Sequence, residues 1–134
     1  LEVRKLKIEM EEIRLSNYAF AEQFKRRTKS FALRVIKLFR ALPSTADAQI
    51  LGKQLLRAAT SVAANYRAAC RSRSKAEFSA KIGVVLEEAD EAQFWLEMLE
   101  ESEIVAANRL IEIKKEVAEL TAILTTIKKN APKK

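Results

Sequence analysis

Apolar residues recur along this chain in steps of three and four, the spacing of helices that bury one face. Phe24, Phe31, Val35, Leu38 and Leu42 share one side of a helix predicted over residues 20–42. Leu51, Leu55, Val62, Tyr66 and Ala69 do the same over residues 46–71. Over residues 75–101, Phe78, Ile82, Val85, Ala89, Ala92, Leu96 and Leu99 step 4-3-4-3-4-3, the seam of a helical bundle. Ala106, Leu110, Ile113, Val117, Leu120, Leu124 and Ile127 repeat at heptad spacing over residues 105–129. Ahead of these, Val3, Leu6, Met10 and Ile13 predict an extra amphipathic helix in an extension over residues 1–19, marginal by itself. Ser16-Asn17 reads as a break or cap there.

The stop signals fall between these segments. Pro43 ends one helix and Pro43-Ser44-Thr45 is a turn. Ser74 with Glu77 three residues on reads as a capping box that opens the next helix. Further turns are expected at residues 72–74 and 102–104, and Asn130-Ala131-Pro132 stops the last helix. Four amphipathic helices with short connections predict an all-α, antiparallel up-down-up-down four-helix bundle over residues 20–130. A basic tail follows over residues 131–134. At least about four fifths of the chain should be helical on this reading.

Charge changes the picture most. Net charge is +7, but residues 25–75 carry 13 bases and 1 acid, and residues 76–120 carry 4 bases and 12 acids. Such asymmetry suggests a polyanionic partner, or a basic half meeting an acidic half within or between subunits. Two cationic stripes lie opposite the apolar faces. Arg26, Lys29, Lys37 and Arg40 form one, and Lys53, Arg57, Arg67 and Arg71 form the other. A solvated face is the competing reading of these arginines, and for Arg57 a second alternative is a pair with a carboxylate such as Glu91 that holds the bundle together. Ala58, Ala59, Ser61, Ala63 and Ala64 make the second helix thin, so neighbours can approach it closely. Asn65 and Ser61 are a polar pair expected to be buried or half-buried, where a hydrogen-bonded amide could set register between helices.

The third helix has a second apolar group. Val84, Phe94, Trp95 and Met98 lie off the bundle seam and are expected to form an oligomer interface, with Trp95 as anchor. The competing reading is that a long N-terminal helix covers them.

Candidate chemistry is sparse. There is no histidine, so Glu-x-x-His metal sites, Ser-His-Asp, Cys-His and histidine-containing zinc sites are excluded. Gly52 and Gly83 are isolated, so there is no glycine-rich phosphate loop. Glu87 with Asp90, and Glu97 with Glu100, have spacings that could hold magnesium, and a magnesium-dependent nucleotide hydrolase is the weakest reading. No catalytic residue, metal or cofactor is expected. Cys70 is the only cysteine and reads as a small buried thiol, compatible with a reducing compartment. No apolar run approaches membrane-spanning length, and a cytoplasmic protein without a membrane partner is expected.

One constellation is more specific. Leu42-Pro43 precedes Gln54-Leu55-x-Arg57-Ala58-x-x-Ser61-Val62-x-x-Asn65, followed by Ser74, Glu77-Phe78, Glu91 and Leu96. With these residues the chain resembles the four helix bundle protein family, which includes proteins encoded in intervening sequences of bacterial 23S ribosomal RNA genes. The accessory variability protein of diversity-generating retroelements is a more distant relative. Ala68-Ala69 stand where that family usually has Glu-Gly, and Ser72 replaces a usual basic residue. The resemblance implies a ring-like homo-oligomer, typically a pentamer, with no established catalytic activity. For the retroelement relatives it implies a basic surface that binds nucleic acid and a reverse transcriptase.

The expected function is therefore that of a non-enzymatic, homo-oligomeric bundle binding RNA or DNA through its basic face with weak sequence selectivity. The alternative is a purely structural scaffold or protein–protein adaptor.

Overall fold

The computed structural model describes residues 2–131. Four helices follow one another: α1 (Glu2–Arg40), α2 (Ala46–Ala69), α3 (Lys75–Glu101) and α4 (Ala107–Asn130). They account for 88% of the described residues, and no strand occurs among them. Turns fall at the three predicted places. Most of the tail predicted at residues 131–134 lies outside the described residues.

Helices α2 and α3 each begin with a local side-chain bond. At the start of α2, the Asp47 carboxylate accepts the Ala48 N–H at 2.8 Å. At α3, Ser74 Oγ accepts the Glu77 N–H at 3.1 Å, and the Glu77 carboxylate reaches back to the Arg73 N–H at 3.4 Å. That is the predicted capping box with its return bond displaced by one residue. The α3–α4 turn reverses through Glu103, whose φ of 63° is left-handed, and the Val105 N–H then reaches the Leu99 carbonyl at 3.2 Å.

The Ser16-Asn17 break does not occur. Both residues sit within α1, a single helix of 39 residues. Their propensity costs are a few tenths of a kcal/mol each, too small to interrupt a helix that continues on both sides. At 1.5 Å per residue α1 is roughly 58 Å long against roughly 36 Å for α2. Residues 2–19 therefore overhang the bundle, and every one of them is exposed.

The core is formed by the predicted seams. Phe31, Val35, Leu55, Val62, Ile82, Val85, Leu96, Leu99, Leu110, Leu120 and Leu124 are fully buried. Helix α2 packs against both α1 and α3, and the α1–α4 seam is the thinnest. The close approach on α2 rests on small residues. Ala58 and Ala59 are completely covered. A Cβ at Gly52 would lie 2.5 Å from Leu42 Cδ1 and 2.9 Å from Phe39 Cδ1, so glycine lets the α1–α2 turn close.

Polar ties cross between helices. Arg27 makes a fork to Glu116 at 2.8 and 2.9 Å and adds Glu119 at 3.1 Å, joining α1 to α4. The hydrogen bond to Glu116 raises the Arg27 pKa, outweighing the opposing effect of burial. Lys114 binds Glu100 at 2.7 Å, and Lys128 Nζ donates to the Ser79 carbonyl at 2.8 Å. Asn65 is half-buried as expected, but its amide donates to the Ser61 carbonyl of its own helix at 2.9 Å. It caps a turn of α2 and does not bridge to a neighbour, so the expected register role falls away.

A candidate nucleic-acid interface between the first two helices

The α1–α2 hairpin sets residues near position 26 of α1 beside residues near position 67 of α2. On α2 the side chains at this crossing are Thr60, Ala63 and Ala64, and α1 contributes Ala32. Short side chains leave an open groove of about 490 Å³. Its remaining lining residues are all cations: Lys25, Arg26 and Lys29 from α1, Arg67 from α2 and Arg71 from the turn that follows it. Arg26 and Lys29 are one turn apart on α1, and Arg71 follows Arg67 just past the end of α2. Arg26, Lys29, Arg67 and Arg71 are exposed. Lys25 is held at 2.6 Å by Glu22, and that hydrogen bond lowers the Glu22 pKa.

Four of the eight predicted nucleic-acid residues therefore meet in one groove. Lys37, Arg40 and Lys53 are exposed but lie nearer the α1–α2 turn and do not line it. Arg57 is turned the other way, where Glu88 binds it at 3.0 Å and Glu91 at 2.6 Å. Desolvation pulls the Arg57 pKa down, and the hydrogen bond to Glu88 with the charges of Glu88 and Glu91 outweighs it, so the pKa rises. Arg57 is a strut between α2 and α3, and its place in the cationic stripe is corrected accordingly. Sequence reasoning missed Lys25, Thr60 and Ala32 as lining. Lys25 could have been found, since it stands one helical turn before Lys29.

Of the carboxylates spaced for magnesium, Glu100 is paired with Lys114 at 2.7 Å. Among the described residues no group of three or more potential metal ligands assembles.

On α3, Val84, Phe94 and Met98 are exposed as expected. Trp95 is not. It is half-buried and packs against the core, with Phe94 edge-on at 4.9 Å and its indole N–H covered and without a partner. Its indole belongs to the fold, so the anchor of any contact on this face would be Phe94. Beside the α2–α3 turn, Phe20, Tyr66, Cys70, Phe78 and Ile127 line a further hollow of about 640 Å³. Cys70 is half-buried there. Burial, with Cys70 alongside, raises the Tyr66 pKa.

Fold and groove together define a small all-α bundle protein with a cationic cleft between its first two helices. Residues 16–126 match the model of the 23S rRNA-intervening sequence protein family, and the chain belongs to that family. A crystal structure from Bacteroides thetaiotaomicron, of a protein of unknown function from the S23 ribosomal protein family, is similar at a TM-score of 0.74 and 32% identity. The likeness covers 79% of this chain and 98% of that one. No curated protein matches. No helix among the described residues is long and apolar enough to cross a membrane.

Proposed function

We propose that this protein binds a nucleic-acid backbone in the α1–α2 groove and catalyses no reaction. The observation that carries this is the convergence of Arg26, Lys29, Arg67 and Arg71 on one open cleft with no acidic side chain in its lining. Cations on phosphates release counterions, so affinity falls with salt by about 0.9 log units per phosphate contacted on duplex. Four contacts give a slope of roughly 3.6. No aromatic side chain lines the groove, so base stacking contributes little and selectivity is weak. The family's link to 23S ribosomal RNA genes favours RNA as the natural ligand.

The protein acts as a homo-oligomer in this reading, in the cytoplasm, where a lone cysteine stays reduced. Val84, Phe94 and Met98 supply a subunit contact, and a ring repeats the groove in every copy.

The test is affinity for a generic duplex and for a structured RNA at two salt concentrations. Replacing Arg26, Arg67 and Arg71 together by Gln should weaken both ligands alike and lower the slope by about 2.7. A triple variant that binds like the parent, or a parent that binds nothing at low salt, overturns the reading. The bundle is then a self-assembling scaffold.

A further inference from the structure

The free cations of the first two helices fall into two clusters, and the groove holds only one of them. Arg26, Lys29, Arg67 and Arg71 line the groove. Lys37, Arg40 and Lys53 form the second cluster, toward the α1–α2 turn. All three are exposed, and none has an ion pair among the described residues. At about 100° per residue, Arg26, Lys29, Lys37 and Arg40 lie within about 80° of one another on α1, and Lys53 and Arg67 within about 40° on α2. Both clusters therefore look out from one face of the hairpin. Between them that face is uncharged. On α1 Leu33 holds the middle and is 52% exposed, while Arg34 lies about 100° further round and is half-buried. On α2 Thr60 and Ala64 are exposed at the middle, and Arg57 is drawn aside by Glu88 and Glu91. The nearest acids are engaged: Glu22 binds Lys25 at 2.6 Å, and Asp47 accepts the Ala48 N–H.

Spacing says which polyanion fits. Lys37 and Arg40 stand 11 residues on from Arg26 and Lys29, respectively. At 1.5 Å per residue that is roughly 16 Å along α1. A single strand carries a phosphate on every nucleotide, so a strand laid along that line would set some over Leu33 and Thr60, where no cation meets them. A duplex laid with its groove over the face does the opposite: two phosphate walls stand apart, with base edges and sugars between them. A wide groove separates its walls by about 12 Å, with the phosphate centres a few Å further out. The two clusters match such a pair of walls. Shape and chemistry then choose RNA. Two packed helices present a broad face from which Leu33 and Thr60 protrude little. Such a face meets the floor of the wide, shallow minor groove of A-form RNA, whereas the floor of the B-DNA major groove lies about 8.5 Å deep. Thr60 Oγ1 donates its proton to the Leu56 carbonyl at 2.8 Å, which leaves its lone pairs to accept from a ribose 2′-hydroxyl, a group DNA lacks.

We infer that this face takes double-stranded RNA straddled across its minor groove, with one backbone in the α1–α2 groove and the other on Lys37, Arg40 and Lys53. The inference rests on the groove reading and adds the second backbone to it.

The experiment compares three probes of equal length on the full chain: an RNA duplex, a DNA duplex of the same sequence, and one unstructured RNA strand. At moderate salt the RNA duplex should bind about tenfold tighter than either of the others. Replacing Lys37, Arg40 and Lys53 together by Gln should lower the salt slope for the RNA duplex by about 2.7 and leave the slope for the single strand unchanged. Leu33→Lys separates the two geometries. A strand running between the clusters would gain a phosphate contact there and its slope would steepen by about 0.7, whereas a straddled duplex offers no phosphate at that point and its slope should hold. These side chains are all exposed, so circular dichroism should show every variant as helical as the parent. Single-stranded RNA or duplex DNA binding as tightly as duplex RNA, the parent's slope in the Lys37, Arg40 and Lys53 variant, or a steeper duplex slope in Leu33→Lys would each overturn the inference. The groove reading fails separately, when replacing Arg26, Arg67 and Arg71 changes nothing.

Discussion

Arg57→Gln separates a strut from a phosphate ligand. Arg57 leaves 47% of its side chain exposed, whereas Glu88 exposes only 17%. The pair with Glu91 is open to water on both sides, so it is worth a few tenths of a kcal/mol. The pair with Glu88 sits at the upper end of the exposed range, and removing Arg57 also leaves a largely covered carboxylate without its partner. Together the loss is about 1.5 kcal/mol. For a domain of this size that lowers Tm by about 5 °C. Affinity for duplex and RNA should change less than about twofold, because Arg57 lies outside the groove. Arg67→Gln should do the reverse, with Tm steady and affinity down about fivefold at moderate salt. Thermal melts followed by circular dichroism and salt-dependent binding on the same samples give both readings. A Tm unchanged in Arg57→Gln, with affinity lost as in Arg67→Gln, would mean the guanidinium leaves its carboxylates for phosphate and would refute the strut.

Phe94→Asp should reduce the molar mass seen by light scattering after size exclusion while leaving helicity intact, whereas Trp95→Asp should lower Tm because its ring packs on the core. An unchanged mass in Phe94→Asp would remove α3 from the assembly. Stability should also fall in acid through Asp47, whose pKa is lowered by its hydrogen bonds to the Thr45 side chain and then to the Ala48 N–H. A depressed native pKa contributes stability that is complete above the unfolded value of about 3.9 and is lost as pH falls through the native value. The urea midpoint should therefore drop more steeply below about pH 4 in the parent than in Asp47→Asn, and parallel curves would exclude this contribution.

The helices and their ends were legible because they depend on local chemistry. Pro43 cannot continue a helix, Ser74 and Glu77 satisfy free N–H groups, and the seam of α3 repeats without interruption. The continuity of α1 was not legible. Ser16 and Asn17 carry cap preferences that only context overrides. The groove was half legible. Helical spacing placed Arg26 with Lys29 and Arg67 with Arg71, and the alanines of α2 announced a thin helix. What spacing cannot give is a side chain's partner on another helix. Arg57 and Arg67 look alike on a helical wheel, yet only Arg57 has Glu88 and Glu91 opposite it. The half-burial of Trp95 was not legible for a related reason: a large ring one step off the seam can fold back onto the core.

The thin α1–α4 seam has a consequence during synthesis. Dense packing joins only helices that are neighbours in the chain, α1 with α2, α2 with α3 and α3 with α4. Such local topology favours rapid folding, and each helix can dock as it leaves the ribosome. The closing step waits for α4, the last of the four to emerge. Until Glu116 and Glu119 arrive, Arg27 has neither of these partners and joins the free cations of α1. A nascent chain would therefore carry Arg27 as an additional free cation on α1 until its bundle closes, while still beside ribosomal RNA, and closure would withdraw that one charge.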